Sequence, residues 1–425
     1  MTRVIEWIIS LLIVIALFVV IGLFLPAKRT VSHSIETNRP MATVNDILSS
    51  FTRFRDWNAL VNHDPRVQLT TSGPESGEGA TLAFQSSQFS IGSGEWKVVE
   101  FVPGEKIVYA LDTPGRGKNK TMTFRFERTG QRKQNVEITQ RYSVDYGWDL
   151  LGRYSGTLYV NSEIGADIKR GLGKLSNLLA TIPRFDYSLH EPGFQVVELP
   201  AENVLLVTTA AKRANDDIAL AMTNQRKWID QVMEKNELEA AGPMRIVTNE
   251  FGADTYGFDV VLPIRRKGTG PADEATDAAE GAEGTEGEAV AEAPAAPAVD
   301  PNAPLETFDV KVEGPVVYAQ LPARRAAKTT YTGPSPGLAR IRDLVRAWSL
   351  VRGYEPTDRP YEDYLGEIKD MLAEDAEFNV YWPIRTPGVA DPAPRVIAPL
   401  PEDEGSEAAP AEADEAGAEA EAAAA

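Results

Sequence analysis

Apolar residues fill almost every position from Val4 to Leu25, and Glu6 and Ser10 are the polar exceptions near one end. A helix of about 22 residues is roughly 33 Å long, which is enough to cross the hydrocarbon core of a bilayer. The run is longer than the apolar region of a signal peptide, and no clear small-residue cleavage site follows it. The pattern therefore predicts a single transmembrane helix over residues 4–25.

Alternating apolar and polar positions dominate residues 30–185 and predict strands, with Gly, Pro and Asn between them. The predicted strands are 31–36, 79–84, 94–101, 107–111, 121–127 and 136–142. A short helix that Thr43 would cap precedes most of them. An amphipathic helix over 161–179 follows them, with apolar residues at spacings of three and four. We expect a curved antiparallel sheet that wraps around the long helix, the helix-grip arrangement, and leaves a cavity between them.

A repeat marks the second half of the chain, residues 193–390. The segment Phe258–Arg265 returns as Phe378–Arg385 with five of eight positions identical. Each copy ends a strand–helix–strand pattern, and the helices are predicted over 218–235 and 338–351. The predicted strands are 195–199, 204–209, 244–249, 257–264, 308–312, 316–321 and 378–383. A duplicated unit can form two half-sites that face each other across a groove. The expected fold class of the whole chain is α+β.

Acidic side chains are concentrated in two segments, 268–304 and 399–425. Each holds nine Asp and Glu and no Lys or Arg, and the remaining 44 acidic residues nearly balance the 43 basic ones. Both segments lack the bulky apolar residues that a core requires, so we predict that they are disordered. The first would be an insert between the two half-repeats. The second would be a solvated tail or an acidic tether for a basic partner.

Composition excludes several kinds of site. The chain has no cysteine, which excludes disulfides and thiolate metal sites, and its three histidines (His33, His63 and His190) are too scattered to predict a zinc site. We expect no metal and no cofactor. No Ser–His–Asp grouping is visible, and the adjacent pair His63-Asp64 is interpreted as an ordinary surface loop, so no catalytic residue is assigned. The body has no basic patch, and no nucleic-acid partner is expected.

The first unit resembles the SRPBCC superfamily (START-like, polyketide-cyclase-type) in the order of its motifs. These include Val31-Ser32-His33-Ser34-Ile35, Phe54-Arg55-Asp56-Trp57-Asn58, Gly77-Glu78-Gly79-Ala80, Gly94-Glu95-Trp96, Pro103-Gly104-Glu105-Lys106-Ile107 and Gly171-Leu172-Gly173-Lys174-Leu175. The resemblance implies a hydrophobic ligand cavity, and members range from lipid carriers to cyclases. The alternation of strand residues then favours Trp57, Trp96 and Tyr109 as lining residues, together with Phe84, Phe124 and Tyr142. The alternative is that these aromatic residues are ordinary core.

The second unit resembles the gyrase-inhibitor-like fold, which is also the effector-binding domain of AraC-type and MerR-type regulators. The matching residues include Val317-Tyr318-Ala319-Gln320-Leu321-Pro322-Ala323, Arg352-Gly353-Tyr354-Glu355-Pro356, Pro360-Tyr361-Glu362-Asp363-Tyr364 and Val380-Tyr381-Trp382-Pro383-Ile384. The resemblance implies a groove for cationic or amphipathic small molecules, lined by Asp259, Tyr331, Glu362, Asn379, Tyr381 and Trp382. The alternative is that Tyr381 and Trp382 are ordinary packing in the core. Multidrug-binding members carry a carboxylate where this chain has Asn379, so cation recognition would depend on other carboxylates and on aromatic faces. The helix-turn-helix of those regulators is not visible here.

Together these features predict a membrane-anchored binding protein with two pocket-forming domains for hydrophobic or amphipathic small molecules. One alternative is an enzyme, either cyclase-like or a hydrolase of small electrophiles with Glu362 and Tyr331 as candidates. The lack of a visible catalytic grouping favours binding. Another alternative is a regulatory scaffold that binds a protein partner. We expect a single pass through a bacterial-type inner membrane, and the small excess of basic residues after the span favours a cytoplasmic body.

Overall fold

The computed structural model describes residues 2–269, 305–386 and 395–396. Apart from Gly268 and Thr269, the predicted insert 268–304 and the whole tail 399–425 lie outside the described residues. Helix α1 (Thr2–Phe24) is apolar, and its side chains are almost all exposed within the described residues. Its length and composition are those of a membrane span or a signal anchor, and they agree with the apolar helix that the sequence predicts.

Seven strands form the first sheet: β1 (Lys28–Thr37), β2 (Gln68–Ser72), β3 (Thr81–Gln85), β4 (Ser93–Val102), β5 (Lys106–Asp112), β6 (Lys118–Thr129) and β7 (Asn135–Asp145). All neighbours pair antiparallel in the order β1-β7-β6-β5-β4-β3-β2. Every second side chain of β7 is buried. This alternation is expected when one face of a sheet is covered and the other is open to solvent. A bulge between Val98 and Glu100 interrupts β4, and bulges bend and twist a strand, so the sheet curls.

Helices cover the concave face of this sheet. They are α2 (Met41–Ser49), α3 (Phe54–Trp57), α4 (Leu60–His63) and α6 (Gly165–Thr181). Helix α5 (Leu150–Tyr159) packs against α1, and a π-helical turn (Val160–Ile164) joins it to α6. Helix α6 buries Ile168, Leu172, Leu175 and Leu179 against the sheet and α3. These residues recur every three or four positions, which is the apolar stripe that the sequence predicts. The curled antiparallel sheet around one long helix is confirmed.

One local prediction about these helices is wrong, and one helix was not predicted. Thr43 does not cap α2: it lies buried inside the helix, and Pro40 holds the cap position. Helix α5 was not predicted, because Gly152 and Gly156 lower helix propensity and its apolar residues do not form a core-facing stripe. Asp149 is the N-cap residue of α5, because its carboxylate accepts a hydrogen bond from the Gly152 N–H at 3.0 Å.

Within the described residues, the second sheet has eleven strands. Its elements are β8 (Gln195–Leu199), β9 (Glu202–Lys212), α7 (Asn215–Lys235), β10 (Leu238–Ala240), β11 (Met244–Phe251), β12 (Thr255–Arg266), β13 (Val317–Leu321), β14 (Arg324–Thr332), α8 (Leu338–Val351), β15 (Glu355–Pro356), β16 (Tyr361–Tyr364), β17 (Glu377–Arg385) and β18 (Arg395–Val396). The main order is β18-β13-β9-β12-β11-β16-β17-β14-β8, with β10 beside β12 and β15 beside β17. Helices α7 and α8 pack on the same face, against β9, β12, β14 and β17.

One predicted strand of this unit is absent. Residues 308–312 are irregular, although Phe308 is buried and its ring stacks on Tyr318 at 6.3 Å. The Phe308 N–H donates to the Tyr318 hydroxyl rather than to a neighbouring strand. The apolar residues of this segment therefore pack against the sheet, but the segment does not pair with a strand through backbone hydrogen bonds.

We predict that Leu172→Ala lowers the free energy of unfolding of the first unit by about 2–5 kcal/mol, because it removes a fully buried leucine from the face of α6. Val99→Ala, at an exposed position of β4, is the matched control and should change stability by roughly 0.5 kcal/mol or less. Denaturant unfolding of the detergent-solubilised chain measures both. Equal midpoints for the two variants would contradict the packing of α6 described above.

Candidate functional site

A cavity of about 590 Å³ lies between the concave face of the first sheet and α6. Its apolar wall is formed by Trp57, Phe84, Trp96, Leu111, Met122 and Ile168. The volume lies within the range of roughly 300–1,000 Å³ that is typical of small-molecule pockets. Strands β3 to β7 supply one side and α6 the other, so the curl of the sheet determines the width of the cavity.

Aromatic rings pack edge to face beneath this wall. The Trp57 ring contacts Phe124 with centroids 5.7 Å apart, and the Trp96 ring contacts Tyr109 at 5.8 Å. Trp57 and Trp96 line the cavity as the sequence predicts, whereas Tyr109 lies in the layer behind them. The Tyr109 hydroxyl donates to the Leu48 carbonyl, and burial raises the pKa of this phenol. Such packing restricts the ring orientations.

Two buried polar atoms of cavity-lining side chains, Trp57 Nε1 and Gln140 Oε1, define what we call the polar floor. Both side chains line the cavity and are almost fully buried, and neither atom has a hydrogen-bond partner within the described residues. Phe124 lies next to both, since it contacts the Trp57 ring and faces Gln140 across the strands. Gln140 uses its Nε2 group on the Met122 sulfur at 3.3 Å. A buried unpaired donor or acceptor costs about 1–3 kcal/mol, so a ligand that pairs with both gains affinity.

Charged side chains lie at the mouth. Lys120 Nζ donates to the carbonyl oxygens of residues 113, 114 and 115 at 2.6, 3.0 and 3.0 Å, which holds that loop over the opening. Burial lowers the pKa of Lys120. His63 Nε2 lies 2.9 Å from Asp167 Oδ1 on α6. The sequence could not reveal this pair, because the two residues are 104 positions apart and only the fold brings them together.

The second sheet divides its predicted site residues between two faces. In register across neighbouring strands, Asp259, Val247, Tyr361 and Tyr381 form one row, and Asn379 opposite Asp363 shares their face. Glu362, Tyr331 and Trp382 face the helices instead: Glu362 pairs with Arg342 of α8, and Arg346 of α8 lies 5.9 Å over the Trp382 ring. Successive residues of a strand point to opposite faces, which is why adjacent positions are separated.

Arginines of the chain itself neutralise the two candidate carboxylates. Glu362 is fully buried and accepts two hydrogen bonds from Arg342, one of them at 2.8 Å. Burial alone would lower the pKa of Arg342, but the facing carboxylate outweighs it and raises that pKa. Asp259 pairs with Arg359 at 3.0 Å and accepts a hydrogen bond from Asn249. A cationic ligand would have to displace or share these partners.

A second cavity, of about 480 Å³, lies beside this sheet. Met244, Tyr364 and Ile368 line it, and none of the site residues predicted in the second unit does. The geometry therefore favours the cavity of the first sheet as the candidate site.

Residues 28–180 match the protein family described as "Polyketide cyclase / dehydrase and lipid transport". The matched region runs from the first residue of β1 to the last turn of α6, so this cyclase-like region contains the whole first sheet and both sides of the cavity. The match supports the predicted hydrophobic ligand-binding fold. No curated protein sequence matches the chain.

Solved structures include distant likenesses. The EcmrR C-terminal domain is 14% identical, with 45% of this chain and 97% of that chain covered and a TM-score of 0.31. Norcoclaurine synthase from Thalictrum flavum is 13% identical, with 35% of this chain and 92% of that chain covered and a TM-score of 0.27. A protein from Thermobifida fusca is 19% identical, with 36% of this chain and 93% of that chain covered and a TM-score of 0.26. No functional conclusion follows from likenesses at these scores.

We predict that Glu362→Gln lowers the free energy of unfolding by about 3–5 kcal/mol, because it leaves the buried Arg342 charge without its partner. The double variant Glu362→Gln with Arg342→Met removes both charges and should recover most of the loss. Denaturant unfolding of the parent, both single variants and the double variant measures the coupling. An unchanged midpoint for Glu362→Gln would refute a structural role of this pair.

Proposed function

We propose that this protein is a membrane-anchored binding protein that holds a hydrophobic small molecule in the cavity of its first unit. The observation that carries the proposal is the 590 Å³ cavity with aromatic walls, which lies wholly within the region that matches the cyclase and lipid-transport family. Burial of apolar ligand surface contributes roughly 25 cal/mol per Å², so such walls favour a largely hydrophobic guest.

The polar floor indicates that the ligand also carries a polar group. Trp57 Nε1 offers one donor and Gln140 Oε1 one acceptor, and both are buried in apolar surroundings. A hydroxyl or a primary amide on the ligand can pair with a donor and with an acceptor, because each can accept and donate. The proposed ligand is therefore amphipathic, with its polar group at the floor and its apolar body along Trp96 and Ile168.

We assign two domains, residues 30–185 and 193–390, and regard the second as a duplicated gyrase-inhibitor-like unit. The strand order supports this assignment. The elements β8-β9-α7-β10-β11-β12 correspond one by one to β13-β14-α8-β15-β16-β17, and exchanging them reverses the order β13-β9-β12-β11-β16-β17-β14-β8. In this proposal Asp259, Tyr361 and Tyr381, which lie buried in one row on the face opposite α7 and α8, contact the effector.

The first test of ligand binding uses 2-naphthol and naphthalene as probes, with affinity measured by fluorescence titration. The parent protein should bind 2-naphthol more tightly, since only the naphthol carries a hydroxyl for the polar floor. Gln140→Leu should weaken 2-naphthol binding by about tenfold, equivalent to one net hydrogen bond of roughly 1–1.5 kcal/mol, and leave naphthalene binding unchanged.

A narrower cavity should weaken both interactions. Ile164→Trp places a large ring on the cavity wall, whereas Val99→Trp places the same ring on an exposed position of β4 and is the matched control. Equal binding of both probes to the parent and to Ile164→Trp would refute the cavity as the binding site.

The anchor has its own test. We predict that the full chain remains in the membrane fraction after alkaline carbonate extraction, because an apolar helix of this length exchanges water for hydrocarbon along its whole surface. A variant that lacks residues 2–25 should become extractable. Release of the full chain by carbonate would refute the span.

A further inference from the structure

Helix α5 carries an exposed apolar stripe. Leu151 and Leu158, seven residues apart on one helical face, are 54% and 64% exposed. Trp148, just before the helix, is 82% exposed, and Tyr159 at its end is 54% exposed. The stripe carries no charged side chain, so water is an unfavourable environment for it.

The structure attaches this helix to the end of α1. Arg153 of α5 donates to the carbonyl oxygens of Leu23 and Leu25, each at 3.1 Å, and these are among the last carbonyl groups of the apolar helix. The Tyr154 hydroxyl donates to the Phe18 carbonyl at 2.8 Å, and the two rings stack with centroids 4.4 Å apart. A basic side chain at a helix C-terminus is favourable, because it satisfies free carbonyls and opposes the helix dipole.

From these contacts we propose that α5 and Trp148 form a second membrane contact, which lies in the headgroup region of the bilayer beside the anchor. The proposal rests on the membrane anchor proposed above. Phe18 lies six residues before Phe24, or roughly 9 Å along the axis, so α5 packs against the last two turns of the span. Those turns lie at the interface, where Trp and Tyr are enriched and where a helix with one apolar face lies in the membrane plane.

A bilayer is the occupant that this surface fits. The stripe continues into the exposed surface of α1, with only Gly22 buried where Tyr154 packs against it. A protein partner of α5 would have to share that lipid-facing surface, whereas a bilayer covers both helices at once.

The same helix borders the mouth of the cavity. Tyr146 lines the cavity and packs against Gly152 and Gly156, where any Cβ would overlap its ring. Arg116, also at the mouth, pairs with Asp149 at the start of α5 at 3.0 Å. With α5 in the headgroup region the mouth lies against the bilayer, and a hydrophobic ligand exchanges between cavity and lipid without crossing bulk water.

The experiment exploits the absence of cysteine in the chain. Single substitutions Leu158→Cys, Leu11→Cys and Leu220→Cys, all at positions about 60% exposed, each receive an environment-sensitive nitrobenzoxadiazole label. The full-length variants are reconstituted in phosphatidylethanolamine–phosphatidylglycerol vesicles that carry nitroxide groups at a shallow or a deep acyl position. Position 11 reports the anchor, position 158 reports α5, and position 220 on α7 is the matched solvent control.

The expected result at position 158 is strong quenching by the shallow nitroxide, several-fold above that at position 220 and above its own quenching by the deep nitroxide. Position 11 should be quenched most by the deep nitroxide. Quenching at 11 together with solvent-like behaviour at 158 overturns the α5 contact and leaves the anchor intact. Protection of 158 from aqueous iodide without lipid quenching indicates burial against protein and also overturns it. Absence of quenching at 11 overturns the anchor, and the α5 contact with it.

Discussion

The guanidinium group of Arg153 connects the parts of this molecule on which its proposed activity depends. It donates to carbonyl oxygens at the end of the apolar helix and to the Gly147 carbonyl that precedes α5, and it is almost fully buried. A buried charge is tolerated only when its donors are satisfied, so these bonds fix α1, α5 and the end of β7 relative to one another. The position of the cavity mouth relative to the anchor follows from that constraint.

The cavity results from two properties of the first sheet: the sheet curls, and large side chains fill only one end of the space inside the curl. A bulge bends β4, and the aromatic layer of Trp57, Tyr109 and Phe124 fills the closed end of the fold. Toward the mouth, smaller or polar side chains such as Leu111 and Lys120 replace the large rings and leave the interior open. The result is a cavity whose closed end is rigid and whose polar atoms are few and buried, which suits recognition of one polar group on an apolar body.

Among the residues that the structure describes, the second sheet, unlike the first, contains buried carboxylates that form ion pairs with arginines. Buried carboxylates there are paired with arginines from α8, from β11 or from the loop before β16, as in Glu362 with Arg342 and Asp363 with Arg245. Removal of one member of such a pair is costly, whereas joint replacement by apolar residues is often neutral. These pairs fix how the helices and loops sit on the sheet. On the opposite face, Tyr361 and Tyr381 stack at 4.9 Å and are buried beneath Arg245, Arg324 and Lys328.

The sequence alone determined the features that depend on local periodicity. The apolar run of α1, the stripe of α6, the helix over 338–351 and most strands follow from the spacing of apolar residues, and the inward position of Trp96 follows from strand alternation. Trp57 lies on helix α3, so strand alternation did not place it. The tertiary structure alone decided that His63 meets Asp167, that Glu362 meets Arg342, and that Tyr109 lies behind the cavity wall. It also revealed α5, whose apolar residues face outward and whose partners are the carbonyls of a distant helix. Periodicity reports which face of an element is apolar, but partners far apart in the chain are selected by how the elements pack together.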